Sequence, residues 1–355
     1  MKKLVVLFII YWFSLSRFTY SDALEKNLKK VVAKYLYRTD YKNAKKACIA
    51  FISKHPNRCF AYSLLGRVYE ELGELEKAEQ AYKNGIERNP RCYKLYFNLS
   101  KIYFTLGKYK MSLNYLLDLE KYGKEAIKKA DINLFDFYKL LGKNYFILKD
   151  YYGSIKYFEE SLKYKWNEFE IYSFLQNAYN NISDKDFTQA YFELGNLVQK
   201  RKDLSKREHI LYSGIIFLKH KKYQRALDKL IYLYDQYEDE RDNIILNFDI
   251  GLGYLLLKNY YNALEYLERA VNLYKKKTKL KYFLIRLLRI ESRGAKYHLV
   301  LSLAYYLNHE YEMAYQTHYE IKNYDIHIYK SFPYRSFAYK GSKIYKELPH
   351  MYEFP

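Results

Sequence analysis

Apolar and small residues recur at intervals of three and four along nearly the whole chain, and the clearest stretch runs from Cys59 to about Arg91. Tyr62, Leu65 and Tyr69 fall on one face of a helix, and Gly66 leaves room there for a second helix to approach. Gly73 marks a turn. Ala78, Tyr82 and Gly85 then recur at intervals of four and three, and Pro90 ends the second helix. The pattern predicts a helix-turn-helix unit with small residues at the crossing and a tyrosine filling the gap.

The unit repeats. Thirty-four residues earlier stand Leu28, Val31, Val32, Tyr35, Ala44, Cys48, Phe51 and Pro56; thirty-four later stand Tyr96, Leu99, Ser100, Tyr103, Ser112, Leu116 and Leu119. After an insertion near 127–134 the pattern resumes with Tyr138, Leu141, Gly142, Tyr145, Ser154 and Phe158, with Trp166 in the place of the proline. A weaker fifth unit holds Tyr172, Leu175, Tyr179 and Phe192, with Thr188 at the small position. Ile210, Gly214, Phe217, Ala226 and Leu230 make a sixth, Ile250, Gly251, Tyr254, Ala263, Leu267 and Ala270 a seventh, and Leu301, Ser302, Tyr305, Ala314 and Ile321 an eighth.

This spacing resembles the tetratricopeptide repeat, a helix-turn-helix unit of 34 residues. The expected fold is all-α: a superhelical solenoid of about eight such units, possible as two subarrays. Units 1–3 span 25–126, the insertion 127–134, units 4–5 span 135–202, units 6–7 span 207–277 and unit 8 spans 295–328. The charged segment Lys200–Arg207, with Asp203 and Ser205, reads as a loop or helix start between subarrays. Between the seventh and eighth units, 278–294 reads as an inserted basic, apolar helix with Arg286, Arg289 and Arg293 interleaved. It either packs into the solenoid or touches an anionic membrane surface; its apolar residues surround much of the helix, which suits burial better. Residues 329–355 form a tail or cap.

Composition narrows the class. Five Pro and 13 Gly among 355 residues favour helices over a fold of many turns. The net charge of +21 suits an acidic partner or serves solubility, since Lys is scattered along the chain. Cys48, Cys59 and Cys92 match no zinc spacing, and at most one pair can oxidise. Met1-Lys2-Lys3 and the apolar run Leu4–Phe13 have the layout of a secretory signal over 1–21, cleaved or kept as an anchor. An exported, periplasmic or otherwise extracytoplasmic protein is expected.

The resemblance implies a binding groove lined by the first helix of each unit. In the first four units that face offers Lys26, Lys29, Phe60, Ser63, Arg67, Lys94, Phe97, Lys101, Phe104, Lys139, Lys143 and Phe146, a basic surface with aromatic steps. Some family members grip the terminal carboxylate of an acidic peptide with Lys, Asn and Arg; Lys29, Asn98 and Lys101 are reminiscent, while Ala33 and Leu64 depart from that clamp. In the last three units the face becomes apolar: Leu211, Ile215, Leu218, Phe248, Leu252, Leu255, Leu299, Leu303 and Tyr306. Such a strip is covered by a partner helix or by the chain itself.

Catalytic patterns are poor. His298, His309, His318 and His327 lack the i, i+4 spacing of helical metal ligands, and Gly251-Leu252-Gly253 has no dinucleotide fingerprint around it. No cofactor, no metal and no enzymatic role is expected. The leading function is a protein-protein interaction scaffold or adaptor in envelope, secretion or surface-protein assembly. A basic nucleic-acid-associated protein is the second class, opposed by the export signal, and a membrane-surface assembly factor, attached through the N-terminus or through 278–293, is the third.

Overall fold

The computed structural model describes residues 23–288 and 293–320, and every regular element among them is helical. The segments read as an export signal, 1–21, and as a tail or cap, 329–355, lie outside the described residues, as do the last residues of the eighth unit from 321 on. The chain divides into two compact units after Trp166, which is earlier than the Lys200–Arg207 segment that the charge pattern marks.

The first unit holds four helix pairs: α1 (23–37) with α2 (Tyr41–Lys54), α3 (Cys59–Glu71) with α4 (Leu75–Arg88), α5 (Tyr93–Thr105) with α6 (Tyr109–Lys121), and α8 (Leu134–Ile147) with α9 (Tyr151–Leu162). A short helix, α7 (Gly123–Lys129), stands between the third and fourth pairs and reaches into the inserted residues 127–134. In the second unit α10 (Phe169–Asn181) pairs with α11 (Lys185–Lys200), α12 (Lys206–Lys219) with α13 (Tyr223–Gln236), α14 (Ile244–Leu256) with α15 (Tyr260–Leu288), and α16 (Arg293–Leu307) with α17 (Tyr311–Glu320). The seventh unit's second helix therefore runs on without a break to Leu288, through most of the stretch read as a separate inserted helix.

One backbone feature keeps the register of the repeats. Each pair turns through a residue of positive φ: Thr39, Gly73, Gly107, Lys149, Ser183, Lys221, Lys258 and His309. Thr39, Gly73 and Gly107 stand 34 residues apart, as do Lys149 and Ser183. The left-handed conformation lets the main chain close the first helix and reverse into the second, and Gly73 does so without a Cβ penalty. Aspartates then cap several second helices: Asp40, Asp150 and Asp184 accept from the backbone N–H of Asn43, Gly153 and Phe187. Ser205 and Glu208 form a capping box that starts α12.

Within a pair, a small residue on the first helix faces a bulky one sixteen positions later. Gly66 faces Tyr82, Gly142 faces Phe158, Gly214 faces Leu230 and Gly251 faces Leu267. On the second helix Ala44, Ala78, Ser112, Ser154, Ala226 and Ala263 are wholly buried at the crossing. The abundance of tyrosine has its own geometry: Tyr103 stacks on Tyr115, Tyr145 on Tyr157, Tyr179 on Tyr191 and Tyr254 on Tyr266, each pair twelve residues apart across the turn. Ring centroids lie 5.3–5.8 Å apart, a spacing for offset stacking. Two of the hydroxyls reach carboxylates of neighbouring helices, Tyr103 to Glu79 and Tyr157 to Glu120, both at 2.9 Å.

The fifth repeat, degenerate in sequence, still forms a closed pair. Thr188 stays partly exposed while Ala190 and Leu194 are buried. Tyr172 on α10 is buried and shares a 2.7 Å hydrogen bond with His209 Nε2 on α12. Burial, and then the charge of Lys229, push the His209 pKa down to about 3, so the imidazole is neutral at physiological pH.

Candidate functional site: a mixed-charge groove in the first unit

First helices α1, α3 and α5 lie side by side, and their outward faces line a cavity of about 630 Å³. Lys29 comes from α1, Phe60, Ser63, Leu64 and Arg67 from α3, and Lys94, Asn98 and Lys101 from α5. Positions four residues apart on one helix point the same way, which brings Phe60 and Leu64, Ser63 and Arg67, and Lys94 and Asn98 to one surface. The end of α7 closes one side with Lys129, Ala130 and Asp131.

The polar groups are already organised. Asn98 is 6% exposed, and its Nδ2 donates to Ser63 Oγ at 3.0 Å. Lys94 Nζ donates to the main-chain carbonyl of Asp131, fastening α5 to the turn that follows α7. Burial holds the Lys94 pKa below the ordinary lysine range; Lys101 and Lys29 push it the same way, while Asp131 and Asp136 oppose them. Lys94 thus feels the charges of Lys101 and Lys29, and an anion placed among them favours its charged form. Lys101 also stands over the Phe97 ring at 5.6 Å.

Acidic side chains share the lining: Glu25, Glu70, Glu71 and Asp131. Two are engaged within the fold. Tyr82 Oη donates to Glu70, with burial and then the Glu70 charge pushing the phenol pKa up, and Glu25 pairs with Arg58 at 3.7 Å. Against them stand Lys29, Arg67, Lys94, Lys101 and Lys129, an excess of positive charge.

At the rim, Cys59 and Cys92 form a disulfide with Cα atoms 5.5 Å apart, joining the first residue of α3 to the N-cap of α5. Cys59 lines the cavity. Cys48 is buried and free, and burial pushes its thiol up to about 12.

Of the groove residues read from the sequence, the structure brings together Lys29, Phe60, Ser63, Arg67, Lys94 and Lys101. Lys26 is exposed on α1 and does not line the cavity. Phe97 is core, 7% exposed, with its ring 6.4 Å from that of Phe137, because α8 packs over this part of α5. Phe104 and Phe146 turn to Tyr109 and Tyr151 at the starts of their own second helices. Lys139 lies over the Phe135 ring at 5.5 Å, and Lys143 is half-buried on α8; neither lines the cavity. The residues that the repeat spacing missed are the acidic ones and those of α7. Asp131 belongs to the insertion, where spacing has no template to read from.

In the second unit the apolar strip is not an open face. Ile215, Leu218, Phe248, Leu252, Leu255 and Leu303 are buried, and Leu211 is half-buried. Phe248 meets Tyr297 with centroids 4.9 Å apart. The side chains of Leu299 and Tyr306 lie outside the described ones. Among the described residues no group of three or more His, Cys, Asp or Glu is arranged to hold a metal, and no helix is long and apolar enough to cross a membrane.

Comparison with known proteins agrees with the repeat geometry. The tetratricopeptide repeat family is matched by residues 59–92 and, through a second model of that family, by 93–121 and 246–277. These segments are α3 with α4, α5 with α6, and α14 with the first part of α15. The TPR repeat-containing protein MJ1428 of Methanocaldococcus jannaschii is 30% identical over 108 residues, covering 30% of this chain and 18% of that protein. The chain thus aligns with less than a fifth of that relative's length. Similar solved structures include MamA from Desulfovibrio magneticus RS-1, 15% identical with a TM-score of 0.42 over 51% of this chain and 97% of that one. Another is pilF of Pseudomonas aeruginosa, 16% identical with a TM-score of 0.43 over 61% and 93%. The protein carries tetratricopeptide repeats in an all-α solenoid, and such repeats are modules for holding other proteins.

Proposed function

We propose that this protein is an exported scaffold or adaptor for envelope, secretion or surface-protein assembly. Its first unit holds an acidic segment of a partner protein along α1, α3 and α5. The observation that carries this reading is the convergence of Lys29, Lys94 and Lys101 beside Arg67 in a cavity of about 630 Å³ whose floor is fixed by the Asn98–Ser63 hydrogen bond. A carboxylate in that cavity gains charge-assisted hydrogen bonds from donors already in place. Two features support export: the short apolar run after Lys2-Lys3, and a disulfide that persists in oxidising compartments.

The test is a photo-crosslinking residue placed at Phe60, inside the groove, and at Gln80, exposed on α4, in the native cell. A discrete partner captured from position 60 and absent from position 80 supports the reading; equal capture from both, or from neither, refutes it. Sequencing the amino terminus of the mature protein, and locating the protein outside the cytoplasm, tests the export half separately.

A further inference from the structure

The Cys59–Cys92 bridge is more than a staple. The other neighbouring repeats among the described residues pack without a disulfide, so the bond is not required to assemble such a pair. It sits at the edge of the groove, with Cys59 in the cavity lining. Cys59 is one residue before Phe60 on α3, and Cys92 is two before Lys94 on α5, so the bond ties together the starts of the two helices that carry Ser63, Arg67, Asn98 and Lys101.

Its chemical setting is that of an exchangeable bond. Both cysteines stand at the amino-terminal ends of 13-residue helices, Cys59 as the first residue of α3 and Cys92 as the N-cap of α5. Helix N-termini stabilise a thiolate, which makes it a better leaving group in exchange. The two cysteines differ in exposure. Cys59 is half-buried and open to the cavity, whereas Cys92 is 3% exposed. Cys48 has no such setting: it is buried in the core beside Val32 and Ala44, and its thiol is held in the protonated form.

We infer that the Cys59–Cys92 disulfide is a redox-operated clasp on the groove, closed by oxidation and opened by a protein or small-molecule dithiol that enters through the cavity. In the opening step a thiolate of the dithiol attacks Cys59 Sγ, a mixed disulfide forms and Cys92 leaves as the thiolate. The second thiol of the reductant then displaces Cys59. Two electrons and two protons pass to the protein, the dithiol becomes a disulfide, and α3 and α5 keep only their non-covalent contacts. The consequence for ligand binding rests on the groove being the binding site; the exchange chemistry and the loosening of the helix starts do not.

The experiment uses the oxidised full chain, titrated with dithiothreitol and quenched with iodoacetamide, with parallel amide hydrogen exchange. The clasp predicts that Cys59 and Cys92 become labelled while the far-ultraviolet circular dichroism is unchanged and Cys48 stays unlabelled. It predicts that the monothiol glutathione is trapped on Cys59 in preference to Cys92, and that amide protection falls at the starts of α3 and α5. Reduction that occurs only as Cys48 becomes labelled, capture on Cys92, or unchanged protection would overturn it. A fluorescent ten-residue Asp/Glu peptide, added to both forms, should bind several-fold more weakly to the reduced protein. Equal affinity removes the control of the groove. If the peptide binds neither form, the groove assignment fails, while capture and exchange still decide the clasp.

Discussion

Asn98 and Ser63, 35 residues apart in sequence, meet across the floor of the groove with Asn98 Nδ2 donating to Ser63 Oγ at 3.0 Å. The contact joins first helices of successive repeats and holds the amide at the base of the cationic cluster. Asn98→Ala should lower stability by about 1 kcal/mol, the usual net worth of such a bond, and should also weaken an acidic ligand. Urea unfolding measures the first effect and peptide titration the second. An unchanged urea midpoint would mean that the bond contributes nothing to docking α5 on α3.

The small-against-large rule inside each pair is testable at Gly142. A Cβ there would lie 2.7 Å from Phe158 Cδ1 and 2.8 Å from Cε1, and Phe158 is wholly buried. Gly142→Ala improves helix propensity but forces α8 from α9, and overpacking of this kind costs about 1–3 kcal/mol. The expected result is a lower denaturation midpoint. A midpoint at or above the wild-type value would show that propensity outweighs the clash.

His209 predicts a pH dependence. Its folded pKa of about 3 lies below the ordinary 6.5, so between those values the unfolded chain binds more protons than the folded one. The stability linked to this group is complete above about pH 6.5 and is lost as pH falls. Between pH 8 and pH 5.5 the loss should reach about 1.4 kcal/mol. His209→Gln should show a correspondingly shallower decline in urea unfolding at the two pH values. Parallel declines in both proteins would place the acid sensitivity elsewhere.

Much of the fold is legible because the repeat is a mechanical unit. Gly66, Ala78 and Tyr82 each do a packing job at a fixed offset, and the offset survives where identity is lost, as at Ser100, Ser112 and Leu116. The tyrosine stacks twelve residues apart were equally present in the sequence, but they span the turn and so belong to neither helical period. The groove was legible only in part. Lys29, Arg67 and Lys94 follow from first-helix positions, whereas Phe97 has the same pattern and is buried by α8, a neighbour that periodicity cannot supply. Asp131 and Lys129 come from the insertion, which has no counterpart in the repeat. The cysteine pairing depends on how closely two helix starts approach, a distance set by packing rather than by spacing along the chain.

On the proposed reading, the first unit holds an acidic partner segment among Lys29, Arg67, Lys94 and Lys101. The direct measurement is fluorescence anisotropy of an Asp/Glu-rich peptide and of its Asn/Gln counterpart, against the oxidised wild-type protein and the double variant Arg67→Glu, Lys101→Glu. Both altered residues are exposed, so the fold should be retained. The prediction is that only the acidic peptide binds the wild type, that raised salt weakens it, and that the double variant binds it at least about tenfold more weakly, a loss of about 1.4 kcal/mol. Equal binding of the acidic and neutral peptides, or undiminished affinity in the charge-reversed variant, would contradict it.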